Sequence, residues 1–501
     1  MIIDELVYQI TSHFGFTPTP EQAEAMRTFS SFMMNRDPHA IMILRGSAGT
    51  GKTSLAAAIV QTMISLGQKV VLLAPTGRAA KVFSLSSGYP AFTIHHQIYI
   101  QKTFSSDGGS FNLNFNRHAD TLFMVDESSM IANQGFTDSA FGTGRLLDDL
   151  IQFVYSGRNC RMVLIGDQAQ LPPVGETESP ALQTYVIEGY GLQVFESNLN
   201  EVLRQSQQSG ILFNATLIRN IISRDQLTEF PQISFSGFAD IHMIPGDELI
   251  ETLNTSYHDV GIDETIVITR SNKRANIYNQ GIRNTVLGRE EELTTGDILM
   301  IVKNNYFWLQ KSLETARQYN ASLCNATQQE QNNTVHQSSN PKDVLFLANG
   351  DRAQVQRVRN VRTLYGFHFA DAWLQFPDGQ HDDLEATLLL DSLSTEAPAL
   401  TKEQNQQLFE QVLADYADVP LKRDRMAKLR EDRMFNAIQV KYAYAITCHK
   451  AQGGQWAHVY LDQGYMTDEM LTPDYIHWLY TAFTRATEQL YLINWPKNQT
   501  V

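Results

Sequence analysis

The sequence predicts an α/β protein built from two parallel-sheet domains, with a β-hairpin set into the first and a small β-barrel set into the second. Three observations predict it. The run Ile41-Met-Ile-Leu-Arg-Gly46-Ser47-Ala48-Gly49-Thr50-Gly51-Lys52-Thr53-Ser54-Leu reads as a short apolar strand, a glycine-rich loop and a helix start, and it fits G-x-x-x-x-G-K-[ST]. Apolar runs of the kind found in buried parallel strands recur at 69–74, 121–125 and 161–165, each ending in polar residues. A second series of strand-then-turn signals begins at 264 and returns after 440, and between 343 and 395 short strands alternate with tight turns.

Length and composition bound the possibilities. At 501 residues with 43% hydrophobic content, the chain is long enough for two to four domains. It contains no run of about 18 uninterrupted apolar residues, which argues against a membrane-spanning helix. Its start, Met1-Ile-Ile-Asp-Glu-Leu, lacks the basic and apolar regions of a signal peptide. Cys160, Cys324 and Cys448 are isolated, which excludes a zinc ribbon or disulfide framework and points to a cytosolic protein. The net charge of −15 runs against a protein that coats nucleic acid and leaves room for one that grips a few nucleotides in a local channel.

Taken in order, residues 1–16 form an amphipathic lead-in anchored by Leu6, Ile10 and Phe14. Thr17-Pro-Thr-Pro20-Glu21-Gln22 starts a helix, with proline in the first turn behind a threonine. Gln22 is either a solvated helix residue or, this close to a phosphate loop, an amide that pairs with an adenine edge. In the loop itself, glycines let successive backbone N–H groups turn around the phosphates of a nucleotide. Lys52 reaches the β- and γ-phosphates, Thr53 places its hydroxyl on Mg²⁺, and the following helix turns its positive end to the same anion.

The strand Lys69–Ala74 ends at Pro75-Thr76-Gly77-Arg78, where a ligand at the strand ends of an open sheet would be touched. Thr93-Ile94-His95-His96 precedes two alternating segments, 97–100 and 110–116, around an Asp107-Gly108-Gly109 turn, which is a hairpin signal. Its aromatic residues Phe104, Phe111 and Phe115 offer faces on which bases stack. Thr121–Val125 ends in Asp126-Glu127, two adjacent acids at a buried strand end. There Asp126 would hold Mg²⁺ through water and Glu127 would orient the attacking water. Arg161–Ile165 repeats the pattern with Gly166-Asp167-Gln168-Ala169-Gln170, so that the Gln170 amide could sense a γ-phosphate. Arg204, taken singly, reads as a surface residue of a modest helix.

In the second series, Thr265–Thr269 is a strand before Arg270-Ser271-Asn272. The segment from Val440 through Thr447-Cys448-His449-Lys450-Ala451-Gln452-Gly453 leads into the strand His458–Leu461. A helix around Tyr475–Thr487 then precedes the last strand, Leu490–Asn494. Residues 310–342, rich in Asn, Gln and Ser, read as a mobile insertion, and 402–435 as a solvated polar helix.

The ordered set Gln22, Gly46–Thr53, Ala74–Lys81, Thr93–His95, Asp126-Glu127, Gly166–Gln170, Arg204, Thr447–Gly453 and Tyr480–Arg485 resembles the motifs of superfamily 1 helicases, within them the RecD-like and phage Dda-like branch. The match is scattered over roughly residues 17–495, and so many motifs in one order are far more specific than any one of them. The resemblance implies two RecA-like domains with ATP between them, a strand-separating pin in the hairpin near 97–116, and an SH3-like barrel near 343–395. It implies a first domain over 17–205, a second begun at 206–302 and resumed at 396–501, and a polar insertion at 303–342. It implies movement along single-stranded DNA from 5′ to 3′ and unwinding of a forked duplex. Arg204 and Arg485 become arginine fingers; Pro75, Thr76, His95, Thr447 and His449 contact DNA; Gln452 and Gly453 couple that contact to the nucleotide. The polar insertion is longer than the family pattern, and the lead-in is too short for the extra N-terminal domain of RecD proper, which favours a stand-alone or phage-type helicase.

Two other readings compete. A P-loop kinase or ATPase acting on a small molecule explains the phosphate loop and Asp126-Glu127 but not a second α/β domain supplying Arg485. An ATP-regulated nucleic-acid-binding protein without unwinding activity sits poorly with the joint presence of Lys52, Glu127 and Arg485.

Overall fold

The computed structural model describes residues 2–103, 110–135, 141–201, 209–224, 229–309, 311–312, 347–377 and 382–501. Two compact units emerge. One contains residues 1–99, 113–288 and 444–501; the other contains 100–112 and 289–443.

The first unit holds two parallel sheets. Strands β1 (Ala40–Gly46), β2 (Lys69–Ala74) and β3 (Ala91–Thr93) precede a separate two-stranded hairpin of β4 (Tyr99–Thr103) and β5 (Ser110–Leu113). With β6 (Thr121–Val125), β7 (Arg161–Gly166) and β8 (Gln193–Leu199) the first sheet is complete, in the order β3-β2-β6-β7-β1-β8. Every residue of β1 and of β6 is buried, as expected of strands covered by helices on both faces. The N-terminal helix Ile2–Phe14 sets Leu6, Ile10 and Phe14 into that core beside Phe29, Phe32, Met42 and Ile59, so the lead-in is part of the domain's packing.

The second sheet is built from β9 (Ile241–Ile244), β10 (Thr265–Thr269), β16 (Ala445–Thr447), β17 (Trp456–Asp462) and β18 (Ala486–Ile493), in the order β16-β10-β17-β18-β9. All its pairings are parallel. Both sheets therefore present strand carboxyl ends followed by helix N-termini, the arrangement in which α/β proteins hold ligands.

In the other unit, β11 (Ile298–Ile301), β12 (Arg352–Leu364), β13 (Phe367–Gln375), β14 (Leu384–Leu389) and β15 (Ile438–Tyr442) close into a barrel. The barrel thus exceeds the expected 343–395. Its first and last strands come from stretches assigned by sequence to the second α/β domain, and Val440–Tyr442 pairs with Leu299–Ile301 instead of joining the parallel sheet. A short, wholly buried strand such as Ile298–Ile301 has no alternation that would tell a barrel from a parallel core. The polar stretch 402–435 forms two helices, Lys402–Ala414 and Lys422–Glu431, rather than one solvated helix. Leu408, Val412 and Leu429 pack with Phe367 and Phe369 of β13. Most of the polar insertion (310 and 313–342), the hairpin turn with Phe104, and Arg204 lie outside the described residues.

Candidate nucleotide and nucleic-acid site

The helix Pro20–Met34 begins with a capping box. The Thr19 hydroxyl accepts the Gln22 N–H, and the Gln22 carboxamide oxygen accepts the Thr19 N–H at 2.9 Å. The nitrogen of that carboxamide donates to the Thr50 carbonyl at 2.9 Å, and the side chain is buried. Gln22 is thus engaged at both ends and braces the phosphate loop from behind. Of the two expectations for it, the solvated helix residue is corrected, because the capping geometry buries the amide.

The loop is shaped by Gly49 and Gly51, each at φ 76°, where a side chain would be strained. Gly51 stands immediately before the helix Lys52–Ser65, and the Lys52 ammonium donates to the Gly46 carbonyl at 3.1 Å. Ser47, Ala48, Gly49, Gly51, Lys52 and Thr53 line a cavity of about 370 Å³; the buried Gly46 and Thr50 and the exposed Ser54 are not part of its lining. Across the cavity are the strand-end residues Asp126 and Glu127 after β6, Asp167 and Gln170 after β7, and Thr484 and Arg485 after the helix Pro473–Phe483.

The electrostatics suit a polyanion with a cation. Burial, and then the neighbouring Glu127 charge, push the Asp126 carboxyl above the usual carboxylate range, while Lys52 pulls it back. Burial also raises Asp167, again opposed by Lys52. Glu127 adopts the left-handed conformation at φ 50°, a strained backbone that fixes its direction at the strand end. Glu127 Oε2 and Gln170 Oε1 are buried acceptors without a hydrogen-bond partner. Unpaired buried acceptors in a cavity lined by a phosphate loop fit a site that receives its remaining donors from a water or a ligand. Arg485 is held in place by three acceptors: the Thr481 carbonyl at 3.0 Å, the Gly454 carbonyl at 3.1 Å and the Thr484 hydroxyl at 3.1 Å.

A second cluster of candidate residues lies where the two sheets' strand-end junctions meet. Thr76, just after Pro75, caps the helix Gly77–Ser87 by accepting the Ala79 N–H at 3.2 Å. Gly453, at φ 71°, comes so close that a Cβ there would sit 2.9 Å from the Ala79 Cβ and 3.1 Å from the Thr76 hydroxyl. Beside this contact the Arg78 guanidinium lies 4.1 Å over the Trp456 ring. Thr447 ends β16 in register with Thr269 of β10, and His449 is exposed in the short helix Cys448–Ala451 that follows. Gln452 and Gly453 do not line the nucleotide cavity. Gln452 instead donates to the Leu171 carbonyl at 2.7 Å, next to Gln170, while Gly453 sits against Thr76 and Ala79.

His95 and Phe111 are placed differently from the sequence expectation. Thr93 caps a short helix, Ile94–Ile98, which takes in residues 97 and 98 of the expected first hairpin strand, so that strand begins at Tyr99. The His95 ring packs against Phe141 and Tyr99 at 5.0 and 5.6 Å, and burial pushes its pKa down to about 4, against the pull of Asp149. Phe111 is buried with its ring 4.4 Å from Tyr306, so packing uses the face expected to stack on a base; Phe115 is 74% exposed. Sequence reading missed Ser209, Ile211, Gln455 and Thr487, which also line the cavity. No local pattern marks them, because only the chain's return through the second sheet brings them there. Tyr480 and Asp167 were within recognised motifs but had no role assigned.

Fold and site together define a P-loop NTPase with two parallel-sheet lobes that contribute to one nucleotide cavity. A model of an AAA domain matches residues 17–220, and one of the UvrD-like helicase C-terminal domain matches 442–493. The chain is 24% identical to the uncharacterized protein R530 of Acanthamoeba polyphaga mimivirus over 91% of this chain and 96% of that one. It is 25% identical to the ATP-dependent DNA helicase dda of Enterobacteria phage T4, over 52% of this chain and 55% of that one. It is 32% identical to the ATP-dependent RecD2 DNA helicase of Deinococcus radiodurans, over 27% of this chain and 16% of that one. Among solved structures, the Pif1 helicase from Bacteroides in complex with ADP-AlF3 and ssDNA aligns with 97% of this chain and 94% of its own, at 14% identity and a TM-score of 0.44. The two domain models thus place an AAA domain ahead of a UvrD-like helicase C-terminal domain along the chain, and two of the relatives it resembles are DNA helicases.

Proposed function

We propose that the protein is an ATP-driven motor that moves along single-stranded DNA from 5′ to 3′ and separates the strands of a forked duplex. The observation that carries this reading is the cavity itself: the phosphate loop and Asp126-Glu127 come from one sheet, and Arg485 comes from the helix leading into a strand of the other. Lys52 neutralises charge on the transferred phosphoryl group, Glu127 takes the proton side of the attacking water, and Gln170 reads the presence of the γ-phosphate. Arg485 stabilises transition-state charge from the opposite side. Thr53 and Asp126 would hold Mg²⁺, which when bound supplies charge neutralisation at the phosphates.

The strand track in this reading is the junction of Pro75-Thr76 with Thr447–Gly453, with His449 exposed beside it. Gln452 sits between that junction and the Gln170 loop, so a change in nucleotide state is felt at the track. Contacts that differ between nucleotide states would advance the strand by population shift. The UvrD-like helicase C-terminal model and the likeness to the dda and RecD2 DNA helicases support DNA as the track.

The test is steady-state ATP hydrolysis with and without a single-stranded oligodeoxynucleotide, alongside Lys52→Ala. Strong stimulation abolished by the substitution is expected. A rate unmoved by DNA would overturn the motor and return the small-molecule ATPase to first place.

A further inference from the structure

We infer that Tyr480 is a positioning residue for ATP hydrolysis, its hydroxyl tying the phosphate loop to the end of β7 and thereby setting where the helix Pro473–Phe483 presents Arg485. The inference rests on the reading of the cavity as an ATP site. The Tyr480 hydroxyl accepts the Ala48 N–H at 3.0 Å and donates to Asp167 Oδ2 at 2.6 Å. A tyrosine hydroxyl has one proton to donate and lone pairs to accept with, so one atom joins two parts of the nucleotide site. The bond to Asp167 is a short O–H···O⁻ contact between buried groups, the strong kind of hydrogen bond.

The same helix grips the rest of the loop that carries Gln170. His477 Nδ1 pairs with the Ala169 carbonyl at 2.9 Å, and the Thr481 hydroxyl accepts the Leu171 N–H at 2.7 Å. Tyr480 is the member of this set that also reaches the phosphate loop. Its neighbour Thr481 supplies the carbonyl that holds Arg485 Nε. The arginine is thus indexed to the phosphate loop through two consecutive residues of one helix. Catalytic geometry is sensitive to displacements of an ångström, so loosening this tie should act on the rate rather than on nucleotide affinity.

Steady-state ATP hydrolysis by the full chain with single-stranded DNA tests it, comparing wild type, Tyr480→Phe, Arg485→Ala and the double variant. Tyr480→Phe keeps the buried ring, and its kcat is expected to fall about 10- to 100-fold with KM for ATP within about threefold. The double variant is expected to be no slower than Arg485→Ala, because both residues act through one contact. Wild-type kinetics for Tyr480→Phe, or losses that multiply, overturn the inference. Should a thermal melt show Tyr480→Phe to be unfolded, Asp167→Asn replaces it, and an unchanged kcat there overturns the inference equally. A wild type that DNA does not stimulate removes the functional reading and this one with it; a stimulated wild type with an unaffected Tyr480→Phe removes only this one.

Discussion

Gln22 shows how one side chain's partners decide its role. Replacing it with leucine leaves the Thr50 carbonyl and the Thr19 N–H without their partners. Each such buried orphan costs about 1–3 kcal/mol, so a lower thermal midpoint is expected before any nucleotide is added. Arg485→Ala is expected to lower kcat on the order of 10³-fold, the usual consequence of losing an arginine finger, and stopped-flow phosphate release would report it. His95 makes a prediction about acid. Its folded pKa is depressed to about 4, so the unfolded chain takes up a proton there first as pH falls below the ordinary histidine value of 6.5. Stability therefore drops between pH 6.5 and 4, and His95→Gln should flatten the dependence of the denaturation midpoint over that window. The phosphate loop and the paired acids were legible as residues because their chemistry demands those types at those spacings, whereas Arg485 was reached only through the resemblance to helicase motifs. The internal use of Gln22 and the burial of Phe111 were not, because each depends on a partner distant in sequence or on packing that a pattern does not record.

At the scale of elements, the hairpin and the barrel were legible in kind and misjudged in extent. Alternation and an Asp-Gly-Gly turn announce a hairpin, yet the helix capped by Thr93 takes residues 97 and 98 and the first strand starts at Tyr99 instead. Phe111 of β5 and Tyr306 belong to the same compact unit as the barrel, and their rings are in contact. Phe111→Ala should therefore loosen the hairpin by about 3 kcal/mol or more, the usual range for truncating a buried phenylalanine. Faster amide hydrogen exchange confined to β4 and β5 would show it. The helices over 402–431 look solvated by composition, but a few apolar side chains at helical spacing suffice to seat them on Phe367 and Phe369.

The whole molecule carries a net charge of −15, and the residues proposed for the track, Pro75, Thr76, Thr447 and His449, include no lysine or arginine. Few phosphates should then be neutralised on binding. With about three or four such contacts, log K for single-stranded DNA is expected to fall with log salt at a slope of only about −2 to −3, measurable by fluorescence anisotropy. A slope several-fold steeper would mean a basic channel elsewhere on the surface. Direction of travel belongs to this scale too: a fork with a 5′ single-stranded tail should be unwound in preference to one with a 3′ tail.

By itself the sequence determined the class of fold and the chemistry of the nucleotide site, since the phosphate loop and strand-end acids are local patterns in which neighbouring residues do the work. Tertiary structure decided which strands close the barrel, which amides and rings are consumed by packing, and that Tyr480 joins the phosphate loop to Asp167 from more than 300 positions away. Those facts are pairings between segments far apart in the chain, and a linear pattern holds no record of which distant group will satisfy a buried donor or cover an exposed ring.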